Sequence, residues 1–179
     1  IVAAGRGTRA GGPVAKQGRQ LAGWRVADWT VAAFVGHPAI DHVLVVVHPD
    51  DSQDAATLGV ETCHGGDTRD ASVRAGLEAL AGRGFGHVLI HDVARAGVSV
   101  DVITDVIEAL ATHDRAAPGL PVTDALWTVG GATIRGTRAR TGVFRAQTPP
   151  GFAFGPILDA HRAPARGPAA YAPVPPAPG

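Results

Sequence analysis

Arg6, Arg9 and Lys16 fall in one loop together with Gly5, Gly7, Gly11 and Gly12. Residue types at that density suit an anion. Glycines let the backbone approach a ligand closely, and successive backbone N–H groups in such a loop form an anion-binding concavity. The basic side chains add the charge that a polyphosphate needs. Lys16 is the only lysine among sixteen basic side chains. A compact ammonium, rather than a planar guanidinium, is therefore what this position selects. The spacing is not that of a P-loop, which closes on Gly-Lys-Ser/Thr. It also departs from the dinucleotide fingerprint, because Ala10 stands where a third glycine belongs. A surface loop with ordinary charges is the plainer alternative, since glycine-rich loops are common.

Elements must hold this loop in place. Val2–Ala4 reads as the end of a buried strand that feeds the loop. Val26, Trp29, Ala33 and Phe34 recur at helical spacing, and Pro38 closes that helix. Val43–Val47 is a continuous β-branched run, as in a strand buried on both faces. Residues 52 to 62 predict a short helix and a weak strand. Gly65-Gly66-Asp67 turns the chain into a helix faced by Val73, Leu77 and Leu80, which Asp67 or Thr68 can cap. Val88–Ile90 is a further strand, ending in His91-Asp92. A helix with Ser99 as its cap follows, then a weak strand over 116–120. Alternating strands and helices predict an α/β fold: a mostly parallel, Rossmann-like sheet with helices on both faces. Ligands of such sheets bind at the carboxyl ends of the strands. The glycine loop, His48 and His91-Asp92 all fall on that edge.

After Pro121 the alternation stops. Two extended segments flank Gly130-Gly131, so a projecting β-arm is expected over about 122–145. Residues 147–152 read as a turn, and Phe154 to His161 as a last helix. The domain is thus expected over 1–162. From 163 to 179 the chain holds six of its fourteen prolines and reads as a disordered tail or linker.

Composition bounds the partners. Sixteen acidic and sixteen basic residues cancel, which argues against a general nucleic-acid surface or a membrane surface. No apolar run nears the roughly 20 residues of a membrane span. The lone Cys63 excludes an internal disulfide and, with no signal-peptide pattern, predicts a cytoplasmic protein. The other histidines lack metal-ligand spacing, and His91 and Arg95 suit structural roles as well as functional ones. The chain opens on Ile1 inside a strand, so further residues are expected upstream.

With these landmarks the chain resembles the 2-C-methyl-D-erythritol 4-phosphate cytidylyltransferases, most closely the cytidylyltransferase half of forms fused to a cyclodiphosphate synthase. The blocks that carry the resemblance are Ala3–Arg9, Lys16-Gln17, Gly65–Arg69 with Ser72–Leu77, His91–Arg95, Pro121–Asp124 and Arg145–Pro149. Such an enzyme joins CTP to methylerythritol phosphate and releases pyrophosphate. The nucleophile is an oxygen already anionic at neutral pH, so positioning and charge neutralisation must supply the catalysis. The resemblance assigns Ala3, Ala4, Gly5 and Gly7 to the nucleotide loop, and Gly66, Asp67 and Ser72 to the base. It assigns Asp92 to the ribose and the Mg²⁺ edge, Arg9 and Lys16 to the triphosphate, and Asp124 and Arg140 to the polyol phosphate. It also implies Mg²⁺ or another divalent cation, and a homodimer through the arm, with Arg140 reaching the substrate of the other subunit.

Departures cluster on the acceptor side. Ala125 and Trp127 stand where the family has Thr and Lys. Ala139 replaces an Asp beside Arg140, and Pro150 replaces a Gln. Beyond about His161 the family's Thr-Asp-Asp segment and a Lys-bearing strand have no counterpart, so the chain reads as divergent and C-terminally truncated. Two other functions therefore stand beside the first: a nucleotide-binding remnant without turnover, and a nucleotidyltransferase for another polyol or sugar phosphate.

Overall fold

The computed structural model describes residues 1–5 and 18–163, and the backbone of 172–174. Its elements are β1 (Gln20–Leu21), β2 (Trp24–Arg25), α1 (Val26–Val35), β3 (Leu44–Val47), α2 (Ser52–Ala56), β4 (Glu61–His64), α3 (Arg69–Leu80), β5 (His87–Leu89), α4 (Val100–Leu110), β6 (Arg115–Pro121), β7 (Leu126–Gly130), β8 (Thr133–Arg138), β9 (Phe144–Ala146), β10 (Gly151–Ala153), α5 (Phe154–Arg162) and β11 (Ala172–Val174). The α/β alternation expected from the sequence is present.

β3 and β4 run parallel, with Leu44 opposite Glu61 and Val47 opposite His64. Val2 makes parallel bridges to both Val46 and Asp92, and so joins β3 to the continuation of β5. Its N–H donates to the His91 carbonyl at 2.7 Å, and the Ala3 N–H donates to that of Val46 at 2.7 Å. The other half of the sheet runs in the order β5, β10, β6, β11.

The period-2 alternation of these strands explains why both faces are covered. Val45 and Val47 pack with Ala27 and Val31 of α1. Val46 meets α3 so closely that a Cβ on Gly76 would lie 2.7 Å from its Cγ2. Val88 and Ile90 join Val73 and Leu77 of α3 and Leu158 of α5, whereas Leu89 packs on Val106 and Leu110 of α4. The turn after α1 is tied to α4 by His37 Nε2 and Thr104 Oγ1, 3.0 Å apart.

Some expectations need correction. Residues 147–152 are more than a turn: β10 starts at Gly151 and runs antiparallel between β5 and β6. A three-residue strand is too short to show a period, and Gly151 hides it further. The close approach is why glycine is there, since a Cβ would meet Leu110 Cδ1 at 2.7 Å. Ala172–Val174, in a stretch expected to hold no packed element, pairs parallel with β6 from Ala172 opposite Ala116 to Val174 opposite Pro118. It occupies the sheet edge, where Pro173 needs no N–H for an outer neighbour. The rest of the expected tail lies outside the described residues.

The arm is present as the antiparallel pair β7 and β8. Gly131, with a φ of +61°, opens a two-residue turn. Turns of that kind match the twist of the flanking strands. Val129 pairs with Ile134, next to a register shift after Thr128. β9 pairs antiparallel with the end of β6, Gly119 opposite Ala146, and anchors the arm's base.

Candidate active site

Because Val2, β3, β4 and the continuation of β5 are parallel, their carboxyl ends share one edge. Ala3–Gly5, His48, Gly65–Asp67 and His91-Asp92 all emerge there. Of the predicted site residues, Gly7, Arg9 and Lys16 lie outside the described residues. The others can be placed.

Ala3 and Ala4 are buried and Gly5 is exposed. Ala4 lies directly against Gly65: a Cβ on Gly65 would stand 2.6 Å from the Ala4 Cβ and 2.7 Å from Ser72 Oγ. Strand end, turn and helix are thus pressed together with no room for a side chain. Gly66 is equally constrained, its Cβ position lying 2.6 Å from that of Ala71.

Thr68 caps α3, its Oγ1 accepting from the Ala71 N–H at 3.0 Å, the usual role of a threonine at that position. Asp67 is therefore not the cap. Its carboxylate is exposed and has no partner among the described residues. Ser72 is only 2% exposed, and its hydroxyl hydrogen is shared between the carbonyls of Thr68 at 2.9 Å and Gly66 at 3.1 Å. It lies beneath the 66–68 turn and fixes its shape, with the turn between it and solvent.

Asp92 sits across from that turn. Its Oδ1 accepts from Arg69 Nε at 3.1 Å and Arg69 Nη2 at 3.0 Å. Its Oδ2 has a looser contact, 3.8 Å from Arg95 Nε. Arg95 also donates from Nη1 to Gln147 Oε1 at 3.2 Å. Behind Asp92, His91 is fully buried against the Phe34 ring, with centroids 4.9 Å apart. Its Nε2 donates to the Arg95 carbonyl at 3.1 Å. With that nitrogen protonated in the neutral ring, the other must accept. Nδ1 does so from the Thr148 hydroxyl at 2.8 Å. Thr148 Oγ1 in turn receives the Asp92 N–H at 3.4 Å. His91 is thus a strut of the site. Arg69 and Thr148 had no role assigned from the sequence. Each lies in a segment that carries the family resemblance, but no spacing rule predicts contacts 23 and 56 residues apart.

Burial holds the His91 pKa below its ordinary value, with its hydrogen bond to Arg95 opposing in part. A base whose folded pKa is depressed binds fewer protons folded than unfolded. Its contribution to stability is complete above the ordinary histidine value, about 6.5, and falls as pH drops below it. Unfolding midpoints in urea should therefore decline on going from pH 7.5 to pH 5. His91→Gln should be less stable at pH 7.5 but show a shallower decline, by less than about 1.4 kcal/mol per pH unit. Identical slopes would remove His91 from the acid response.

At the arm, Arg140 Nη1 donates to the Thr123 carbonyl. Arg140 and Asp124 are thereby brought together at the arm's base, and both are exposed.

No group of three or more His, Cys, Asp or Glu side chains that could hold a metal exists among the described residues. A single carboxylate with one loosely held oxygen does fit a hydrated Mg²⁺ carried by phosphates, which needs only one or two protein carboxylates.

A match to known proteins joins these blocks. Residues 1–172 fit the family model described as IspD, 2-C-methyl-D-erythritol 4-phosphate cytidylyltransferase. The chain belongs to this family. A relative from Cereibacter sphaeroides, named 2-C-methyl-D-erythritol 4-phosphate cytidylyltransferase, is 52% identical over 169 residues, covering 91% of this chain and 75% of that protein. The bifunctional enzyme IspD/IspF of Ruegeria pomeroyi is 54% identical over 166 residues, covering 91% of this chain and 44% of that protein. The chain therefore spans less than half of the fused relative and three quarters of the unfused one. The crystal structure of the Thermus thermophilus cytidylyltransferase superposes with a TM-score of 0.74 at 34% identity, covering 90% of this chain and 72% of that chain. The family match runs to residue 172, past His161, beyond which the sequence showed no counterpart of the family's next segments.

Proposed function

We propose that the chain transfers CMP from CTP to 2-C-methyl-D-erythritol 4-phosphate and releases pyrophosphate, a step in non-mevalonate isoprenoid precursor synthesis. The observation that carries this reading is the tight packing of Ala4, Gly65 and Ser72, which sets the 65–68 turn at the same carboxyl edge as Asp92. Identity of 52% to a named cytidylyltransferase supports it.

In the proposed reaction an oxygen of the acceptor phosphate attacks the α-phosphorus of CTP. The bond from that phosphorus to the bridging oxygen breaks, and its electrons leave with pyrophosphate. No protein nucleophile is required. Asp67 and the 65–68 backbone meet the cytosine, and the Asp92 carboxylate receives the ribose. Arg9 and Lys16 neutralise the triphosphate and the leaving group. Arg140 and Asp124 hold the polyol phosphate. Asp92 would hold a Mg²⁺ accompanying the nucleotide, and such an ion would neutralise phosphate charge. Release of pyrophosphate from CTP and this acceptor tests the reading, and a panel of other polyol and sugar phosphates tests the acceptor.

The arm supports a homodimer. Trp127, Val129 and Ile134 are 62%, 66% and 52% exposed. They form an apolar stripe that a two-stranded ribbon cannot cover itself. The protein should sediment as a dimer at micromolar concentration, and Val129→Lys with Ile134→Lys should shift it to monomer. A monomeric parent would remove the arm from assembly. The exposed stripe would then need another partner, and a fused cyclodiphosphate synthase, as in the Ruegeria relative, is one. A cytoplasmic location follows from the same reading.

A further inference from the structure

Arg69 is the first residue of α3, immediately after the turn proposed to meet the base. Its side chain leaves its own helix and crosses to Asp92, 23 positions on, placing two nitrogens on a single oxygen, Oδ1. Two consequences follow from that geometry. Oδ2, whose one contact among the described residues is the 3.8 Å approach of Arg95, becomes the carboxylate oxygen open to an incoming hydroxyl. Arg69 Nη1 is also left without a partner among the described residues.

The pair is a poor stabilising device. The Arg69 side chain is 57% exposed and that of Asp92 37%. Ion pairs in such settings contribute little to folding. The carboxylate nonetheless has a problem that the guanidinium solves. Asp92 stands on the edge where a polyanion is proposed to bind, and an unscreened carboxylate there would repel it. A guanidinium screens the charge while fixing one oxygen, which a mobile ammonium does less well.

We propose that Arg69 is a positioning residue for the nucleoside: it holds Asp92 by Oδ1 so that Oδ2 accepts from a ribose hydroxyl. It thereby couples the turn under the base to the site under the sugar. This rests on the proposed nucleotidyltransferase reading of the same edge.

Calorimetric titration of the full chain with CTP and, separately, with inorganic tripolyphosphate tests it in the parent, Arg69→Gln, Arg69→Lys and Asp92→Asn. Arg69→Gln should weaken CTP about tenfold, the loss of one charge-assisted contact, with an unchanged melting temperature. Tripolyphosphate should lose less affinity than CTP, because it loses only the screening of Asp92 and no ribose contact. Arg69→Lys should recover part of the affinity, and Arg69→Gln combined with Asp92→Asn should be no weaker than Asp92→Asn alone. Equal losses for CTP and tripolyphosphate would make Arg69 a phosphate contact and overturn the proposal. So would CTP binding that ignores the substitution, or losses that add in the double variant. A parent that binds tripolyphosphate but not CTP would overturn the nucleotide reading as well, and is recognised before any variant is made.

Discussion

Replacing Lys16 by Ala should lower kcat for pyrophosphate release by about 10²–10³, the cost of one lost transition-state charge contact. Thermal unfolding should be unchanged, because the contact that is lost forms only in the transition state. The reason is chemical. The nucleophile is ionised before it arrives, so no base has to be supplied. What the reaction lacks is a counter-charge for the α-phosphoryl group and the departing pyrophosphate. A bias so strong toward arginine makes the single retained lysine informative. Its ammonium is a compact point charge that can follow the phosphate as charge moves. Lys16→Arg should therefore fail to restore full kcat. An unchanged kcat in Lys16→Ala would take the residue out of the mechanism.

Substituting Gly65 by Ala should damage binding and folding together, through one methyl group. The new Cβ would fall 2.6 Å from the Ala4 Cβ and 2.7 Å from Ser72 Oγ. Neither neighbour is the free end of a flexible chain. Ala4 is buried just past the bridges that Val2 makes to Val46 and Asp92, and Ser72 is tied to the Gly66 and Thr68 carbonyls. Relief requires the strand end and α3 to separate, at a cost of about 1–3 kcal/mol for an overpacked site. The same movement spreads the turn proposed to meet the base, so CTP affinity should fall at least about tenfold, the equivalent of about 1.4 kcal/mol. Gly155→Ala is the control. That glycine lies in α5 with nothing within 4 Å of its Cβ position. Alanine there should be neutral or stabilising. If Gly65→Ala binds and melts like the parent, the compression of this edge has no functional weight.

The period of a segment decided how much of the fold was legible in the sequence. β3, with four consecutive buried residues, and α4, with Ile103, Val106 and Leu110 inward, carry patterns long enough to be read. β9, β10 and β11 have three residues each, and the β1–β2 hairpin has two per strand. Those elements exist because a neighbouring backbone accepts them, and no local periodicity records that.

The site divides in the same way. Its contiguous pieces, Ala3–Gly5 and Gly65–Asp67, could be proposed from the sequence because glycine and small residues next to strand ends let the backbone approach a ligand closely. The Arg69–Asp92 pair and the chain from Asp92 through Thr148 to His91 are tertiary, built from residues far apart in the chain. Thr68 rather than Asp67 as the cap could not be chosen from residue type, since both accept hydrogen bonds at that position. The outcome matters chemically, because it leaves the Asp67 carboxylate exposed beside the turn.

Trp127 is 62% exposed on the arm and Ala125 lies beside Asp124, where the resemblance expects Lys and Thr on the acceptor side. Nucleotide binding and turnover are therefore separable questions. Continuous measurement of pyrophosphate from CTP, Mg²⁺ and 2-C-methyl-D-erythritol 4-phosphate addresses both, with the acceptor omitted in a parallel reaction. Acceptor-dependent pyrophosphate release that saturates in both substrates is the predicted result. A folded protein that binds CTP but releases no pyrophosphate with this or any other polyol or sugar phosphate would contradict it, and leave a nucleotide-binding domain without turnover.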